Sequence, residues 1–193
     1  MTPRSVRIVA FDAATWRGVG PRMLELERQE WGARAFPERE MRWQATNEDA
    51  VVATTWDGQT LIGFAVAGPA WTDGRATLLN VLIDPEHRGQ GLVWPLIAAV
   101  ERELTSRGIR ELDIDARVDN GFADAVERHY GSRGTVVEQD HPSPYGPQRT
   151  IRVGLVRGAR PPRRKRAAPS PRTVRPRAAA PARRAARTRP PTG

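Results

Sequence analysis

The chain has 193 residues and a formal net charge of +9, with 31 Lys/Arg against 22 Asp/Glu. It contains no cysteine, which excludes disulfide bonds, thiol catalysis and cysteine-ligated metal sites. No stretch approaches the roughly 18 consecutive apolar residues that a membrane-spanning helix requires, and no signal peptide is recognisable. We therefore expect a cytoplasmic protein with no membrane partner.

Predicted strands and helices alternate along the first 156 residues. Apolar runs and helical spacing give the order β-α-α-β-β-β-α-β-α-β-β, without an internal repeat. The predicted strands cover residues 5–12, 49–56, 60–68, 75–83, 109–117, 134–139 and 148–156, and the predicted helices cover 16–32, 37–45, 92–107 and 120–131. This order predicts an α/β fold class with antiparallel hairpins at its start.

Two of these elements carry strong local signals. Asp57-Gly58 lies between two apolar runs and predicts a tight hairpin turn. Apolar residues between Leu92 and Leu104 recur at helical spacing, and Gly108 predicts where that helix ends.

The positive charge is concentrated at the C-terminal end of the chain. Residues 157–193 hold 13 of the 31 Lys/Arg and no acidic residue, which leaves residues 1–156 with 18 basic and 22 acidic groups, a net charge of −4. Because the segment is rich in Arg, Pro and Ala and has no aromatic residue, it cannot bury enough apolar surface to fold. The sequence predicts a folded domain over 1–156 and a disordered basic tail over 157–193. We expect the tail to contact nucleic acid or another polyanion, although codon bias explains the same composition.

A glycine-rich loop joins the predicted strand 75–83 to the next helix. Such a loop predicts a phosphate site, because bare backbone N–H groups and the positive end of the helix dipole meet there. A P-loop is excluded because its lysine is missing; Lys165, in the tail, is the only lysine of the chain. A dinucleotide-binding fingerprint fits poorly because Trp94 occupies its third glycine position.

The stretch from Leu79 to Leu92, "LNVLIDPEHRGQGL", resembles the acetyl-CoA-binding motif of the GNAT superfamily of N-acetyltransferases. In that motif Arg/Gln-x-x-Gly-x-Gly/Ala follows a strand and opens a helix. Val93 stands where the family usually has Gly or Ala, and Pro95 lies just inside the helix. The element order also resembles the family over about residues 5–156.

The resemblance implies a GNAT-like fold, which is a mixed, mostly antiparallel central sheet of six to seven strands flanked by about four helices. Its central parallel pair, here residues 75–83 and 110–117, would splay apart to admit the acetyl-pantetheine arm. The implied coenzyme-binding residues are Leu82, Ile83, Arg88, Gly89, Gln90, Gly91, Leu92, Val93 and Asn120. Acetyl-CoA is thus the implied co-substrate. No metal is implied, since the chain has only three scattered histidines.

The resemblance also implies two catalytic residues. Tyr130 and Gly134 match the family pattern Tyr-x-x-x-Gly-Phe, whose tyrosine protonates the leaving thiolate, although Thr135 replaces the phenylalanine. The Asn120–Tyr130 spacing is about three residues longer than is usual. Asp115, five residues before Asn120, matches the general base of ribosomal-protein alanine acetyltransferases. Asp113 shares its strand face with Asp115 and is expected to help attract a cationic amine.

The acceptor side is expected to involve the first two helices and the loop 140–150. These segments contain aromatic residues, a loop histidine and several glutamates, which suit an amine with some apolar surface: Trp16, Trp31, Phe36, Trp43, His141, Tyr145, Glu25, Glu27, Glu30 and Glu38. The resulting hypothesis is an N-acetyltransferase that acts on a primary amine of a small molecule or protein, as a monomer or homodimer. The alternative is a catalytically inactive GNAT-like binding module whose basic tail contacts nucleic acid or a partner.

Overall fold

A computed structural model describes residues 5–69 and 74–155, which form one sheet covered by helices on both faces. The elements of this part are β1 (Ser5–Val9), α1 (Ala13–Trp31), α2 (Glu38–Thr46), β2 (Val51–Asp57), β3 (Thr60–Pro69), β4 (Arg75–Ile83), α3 (Val93–Ser106), β5 (Glu111–Arg117), α4 (Phe122–Tyr130), β6 (Gly134–His141) and β7 (Gln148–Gly154). They follow the predicted order. The tail predicted over 157–193 lies outside the described residues.

The seven strands are arranged in the order β1-β2-β3-β4-β5-β7-β6. Every neighbouring pair is antiparallel except β4 and β5, which are parallel. The predicted mixed sheet with one central parallel pair is therefore confirmed. The predicted β2–β3 hairpin is also present, but its two-residue loop is Gly58-Gln59, because Asp57 still pairs with Thr60.

Two apolar clusters lie on opposite faces of the sheet. The α3 residues that recur at helical spacing, including Leu96, Ile97 and Val100, pack with α4 against one face. Helices α1 and α2 cover the other face through Met23, Leu26 and Met41, among other residues. Within the described ranges, none of the helices combines the length and apolar composition needed to cross a bilayer.

Strand β4 contains a bulge at Leu79. The β3–β4 pairing runs through Ala67↔Leu78 and then shifts to Val66↔Asn80, so one extra residue is inserted in β4. A bulge changes which face the following side chains occupy. Leu78 accordingly belongs to the α3 cluster, whereas Leu82 belongs to the α1 cluster and Asn80 contacts α1.

Strands β4 and β5 pair over only four residues before they separate. Their parallel pairing runs from Arg75↔Glu111 to Leu78↔Ile114, and no pairing continues beyond this point. The remaining residues of β4 and β5 therefore border an opening in the middle of the sheet. This confirms the splayed central pair.

Candidate active site

A cavity of about 860 Å³ occupies the opening between the separated ends of β4 and β5. The glycine-rich loop and the first residues of α3 and α4 form its other walls. It brings together most of the predicted site residues: Leu82, Ile83, Arg88, Gly89, Gly91, Leu92, Val93, Asp115 and Asn120. Gln90 and Tyr130 do not line it. Val93 and Trp94 form part of the wall and leave the cavity open.

The loop presents bare main chain to the cavity. Gly89 and Gly91 have φ angles of 71° and 73°, in the left-handed region that glycine adopts without strain. A Cβ atom at either position would meet no other atom within 4 Å, so the glycines are required by backbone conformation rather than by lack of space. Helix α3 begins at Val93, which puts Pro95 in the first turn, where backbone N–H groups have no intrahelical partner.

Arg88 ties the loop to its surroundings. Its Nη2 donates to Glu30 Oε2 at 2.6 Å, and its Nε donates to the Ile83 carbonyl at 3.1 Å. The guanidinium charge of Arg88, one of the implied coenzyme-binding residues, is therefore partly balanced by Glu30, on α1. Arg88 is at the cavity wall, and its first role in this structure is to hold the loop against α1 and the end of β4.

The free edge of β4 has backbone groups that point into the opening. The Asp84 amide donates to the Ile62 carbonyl at 2.8 Å, which makes Asp84 and Ile62 a hydrogen-bonded pair of the β3–β4 ladder. Such pairs alternate with non-bonded ones in an antiparallel ladder. The Leu82 backbone is therefore bonded to β3, whereas the backbone groups of Val81 and Ile83 face the β5 side. Near the predicted coenzyme-binding residues Leu82 and Ile83, the backbone of β4 therefore faces the opening at Val81 and Ile83.

Asp115 reaches the cavity from β5. Its Oδ1 accepts a hydrogen bond from Thr150 Oγ1 at 2.7 Å, and its side chain is otherwise exposed. Asp113 shares the same face, as predicted, but its carboxylate accepts two hydrogen bonds from Arg152, at 2.8 and 3.0 Å. Asp113 does not line the cavity. Of the two carboxylates, Asp115 alone is placed to meet an incoming amine.

The structure does not bring Tyr130 into the cavity. Its ring is only 4% exposed, and its hydroxyl donates to Glu101 on α3. Burial, followed by the hydrogen bond and charge of Glu101, raises the pKa of Tyr130 well above its usual range. The long spacing after Asn120 explains the placement: Phe122 and His129 fall on one face of α4, and Tyr130 is turned about 100° from His129.

Trp94 packs on that cavity-facing side of α4. It stacks on His129 with ring centroids 4.0 Å apart and on Phe122 at 6.3 Å. In the sequence, Trp94 stands out as a departure from a glycine pattern, and nothing there indicates this packing. The structure shows that it fixes the start of α3 against α4 beside the cavity.

Three aromatic residues form a wall at the other end of the cavity. Tyr145, from the β6–β7 loop, contacts Trp31 edge-on with centroids 4.8 Å apart and Phe36 at 5.5 Å. All three line the cavity, as does Glu30. The remaining predicted aromatics are elsewhere: Trp16 is in the core and Trp43 is 61% exposed. His141 does not line the cavity either.

A buried Glu27–Asn80 pair adjoins this wall and was not predicted as a pair. Glu27 is fully buried; its Oε2 accepts from Asn80 Nδ2 at 2.8 Å and its Oε1 accepts from the Phe36 amide at 3.2 Å. Burial raises the pKa of Glu27, and these two hydrogen bonds oppose the increase. Glu27 lies four residues after Met23, on the apolar face of α1, and this spacing is the sequence signal that could have predicted its burial.

In the described part of the chain, no group of three or more His, Asp or Glu side chains is arranged so that it could hold a metal ion.

Three comparisons relate the chain to known proteins. The model of the acetyltransferase (GNAT) family matches residues 20–131. The [ribosomal protein bS18]-alanine N-acetyltransferase of Escherichia coli strain K12 is 31% identical over 81 residues, which is 42% of this chain and 55% of that protein. The chain thus spans about half the length of the curated relatives it matches.

Solved structures that share the fold include two N-acetyltransferases. The crystal structure of the ribosomal-protein-S18-alanine N-acetyltransferase from Escherichia coli aligns with a TM-score of 0.61 and 20% identity, over 78% of this chain and 94% of that one. An aminoglycoside 6'-N-acetyltransferase complexed with coenzyme A aligns with a TM-score of 0.65 and 17% identity, over 80% and 99%. Because the family model covers more than half of the chain and the splayed sheet agrees with it, the chain belongs to the GNAT acetyltransferase family.

Proposed function

We propose that the chain transfers an acetyl group from acetyl-CoA to a primary amine. One observation carries the proposal: the cavity between β4 and β5 connects a bare glycine loop at a helix start with an exposed carboxylate, Asp115. The loop suits a diphosphate and the carboxylate suits a cationic amine. One continuous cavity would thus contain both the diphosphate of the coenzyme and the amine that attacks.

The residues of the cavity fit coenzyme A as a co-substrate. The backbone amides around Gly89 and Gly91, with Leu92 and Val93 at the start of α3, offer donors to the diphosphate. The outward backbone groups of Val81 and the amide of Ile83, whose carbonyl already accepts from Arg88, suit the amide groups of pantetheine, which would add to β4 like a short strand. Asn120, whose Oδ1 accepts from the Phe122 amide at 3.0 Å, supports the start of α4 at the same wall.

Asp115 is the proposed general base. An alkylammonium group has a pKa near 10.4, so it must lose a proton before its nitrogen can attack. Asp115 accepts that proton, the nitrogen lone pair forms the bond to the thioester carbonyl carbon, and the C–S bond breaks with its electron pair leaving on sulfur. The attacking nitrogen, which still carries one proton too many for an amide, releases that proton to water, and the thiolate takes a proton from water. Thr150 holds one oxygen of Asp115, which leaves the other for the amine.

The acceptor is proposed to be an amine attached to an apolar group. Trp31, Phe36 and Tyr145 supply an apolar wall for that group. The relatives named above act on an alanine of a ribosomal protein and on aminoglycosides, which supports an amine acceptor and suggests what to test.

A panel of amines tests the proposed activity. The panel contains a peptide with a free N-terminal alanine, a lysine peptide and an aminoglycoside, each with acetyl-CoA, and free thiol is measured. We expect at least one amine to be acetylated.

Asp115→Asn should lower kcat about a hundredfold by removing the base. Asp49→Asn, an exposed carboxylate outside the cavity, is the control and should leave kcat unchanged. Absence of activity together with CoA binding would favour the binding-module alternative.

Coenzyme A affinity tests the role of the glycine loop. Gly91→Ala should weaken CoA binding at least tenfold in calorimetry, because a non-glycine residue at φ 73° is strained by about 1–2 kcal/mol and the loop will shift to relieve it. Gly58→Ala is the matched control: its φ is 58° and it also has open space around it, but it lies in the β2–β3 turn. Equal loss of CoA affinity in both variants would rule out a specific role of the loop.

Turnover of Tyr130→Phe tests whether this tyrosine protonates the thiolate. Since its hydroxyl is bonded to Glu101, we expect unchanged kcat and a loss of about 1 kcal/mol in the free energy of unfolding, measured by urea denaturation. A hundredfold fall in kcat at unchanged CoA affinity would instead restore the catalytic role that the family pattern implies.

A separate proposal concerns residues 157–193, which we infer bind polyanions through their 13 Lys/Arg. A chain ending at Val156 should lose the salt-sensitive retention on immobilised double-stranded DNA that the full chain displays. Equal retention of the two chains would contradict this role of the tail.

A further inference from the structure

Within the described residues, the side-chain amide of Asn80 is hydrogen-bonded through its nitrogen but not through its oxygen. Its Nδ2 donates to Glu27 Oε2 at 2.8 Å, and Met41 Sδ lies 3.8 Å from the same nitrogen. Its Oδ1 makes no hydrogen bond within residues 5–69 and 74–155, although Asn80 is only 9% exposed. Asn80 lines the cavity, and Oδ1 is the end of its amide that is not bonded to Glu27. A nearly buried carbonyl oxygen is thus available to a donor that enters the cavity.

Glu27 fixes which end of the amide faces the cavity. A carboxylate can only accept hydrogen bonds, so it takes the NH₂ group of Asn80 and leaves the oxygen outward. The other carboxylate oxygen accepts from the Phe36 amide at 3.2 Å, which anchors Glu27 at the start of the aromatic wall. The orientation of the Asn80 amide is therefore coupled to the wall where the acceptor is proposed to bind.

The bulge at Leu79 puts Asn80 on the same face as Asp115. Without the extra residue, the alternation of β4 would direct Asn80 toward α3, as it directs Leu78. The last parallel pair is Leu78↔Ile114, so Asn80 and Asp115 follow immediately where the two strands separate. One strand thus contributes a neutral acceptor and the other an anionic acceptor to the two sides of one opening.

We propose that Asn80 binds the acceptor amine, accepting one of its N–H bonds while Asp115 accepts another, and that Glu27 is the positioning residue that orients Asn80. This inference rests on the proposed function and specifies how the amine is held there. Two acceptors on opposite strands fix the direction of the nitrogen lone pair, which a single carboxylate cannot do. The charge of the ammonium group strengthens both hydrogen bonds.

The test separates amine binding from folding and from coenzyme binding. Steady-state kinetics with the best amine of the panel gives KM and kcat, calorimetry gives the Kd for CoA, and thermal unfolding gives Tm. Asn80→Ala should raise the amine KM about tenfold and leave the Kd for CoA unchanged. Asn80→Ser keeps a donor for Glu27 but lacks the carbonyl, so it should raise the amine KM by a similar factor. This variant replaces Asn80→Ala in the test if the alanine variant does not fold.

A double-mutant cycle tests the role of Glu27. Glu27→Gln lets the new amide donate to Asn80, so the Asn80 amide turns over and presents its NH₂ to the amine, and KM should rise. In the Asn80→Ala background the same change should have no further effect on KM. Glu40→Gln is the matched control, because Glu40 is exposed and contributes negative charge to the surroundings of Glu27 without contacting Asn80. It should leave KM unchanged.

The outcomes distinguish this inference from the proposed function. If the unaltered chain acetylates no amine, the proposed function fails and this inference fails with it. If the chain is active and Asn80→Ala and Asn80→Ser leave the amine KM within twofold, only this inference is overturned. It is likewise overturned if Glu27→Gln raises the amine KM by the same factor in the unaltered chain and in the Asn80→Ala variant. Glu27 would then affect amine binding through the fold and not by orienting the Asn80 amide.

Discussion

The separation of β4 from β5 after four parallel pairs is the constraint on which the site depends. It leaves backbone N–H and C=O groups of a central strand without a strand partner, a state that a buried sheet normally avoids because unpaired backbone groups lose hydrogen bonds. Such an edge suits a ligand that itself carries amide groups. The bulge at Leu79 contributes to the same opening. It changes which face of the sheet the β4 side chains occupy at the point where the strands separate.

Helix α1 holds both sides of this opening in place. Arg22 donates to the Leu61 carbonyl at 3.2 Å and contacts Asp84, the residue that leads from β4 into the glycine loop. About two turns further along the helix, Glu30 binds Arg88 in the loop itself, and its Oε1 also lies 3.7 Å from Arg117 Nη1 at the end of β5. Charged groups on one helix thus connect the loop with both strands. These contacts fix the position of the loop, which lowers the entropy cost of binding a ligand there.

The sequence predicted what depends on local pattern. The β2–β3 hairpin, helix α3 and the glycine loop could all be predicted, because each is determined by residues close together in the chain. Tyr130 illustrates the limit: the family pattern fixes its distance from Gly134, whereas its direction depends on where α4 begins, and the helix begins at Phe122. The Glu27–Asn80 pair joins residues 53 positions apart and depends on a register shift, which no periodicity reveals.

Amide hydrogen exchange along β4, measured by NMR with and without CoA, tests the central claim most directly. If pantetheine pairs with the free edge of β4, the amides of Val81 and Ile83 should gain protection on CoA binding, while the amide of Leu82, already bonded to β3, should change little. Binding of CoA without added protection at Val81 and Ile83 would contradict the account, because the opening between the strands would then not be where the coenzyme lies.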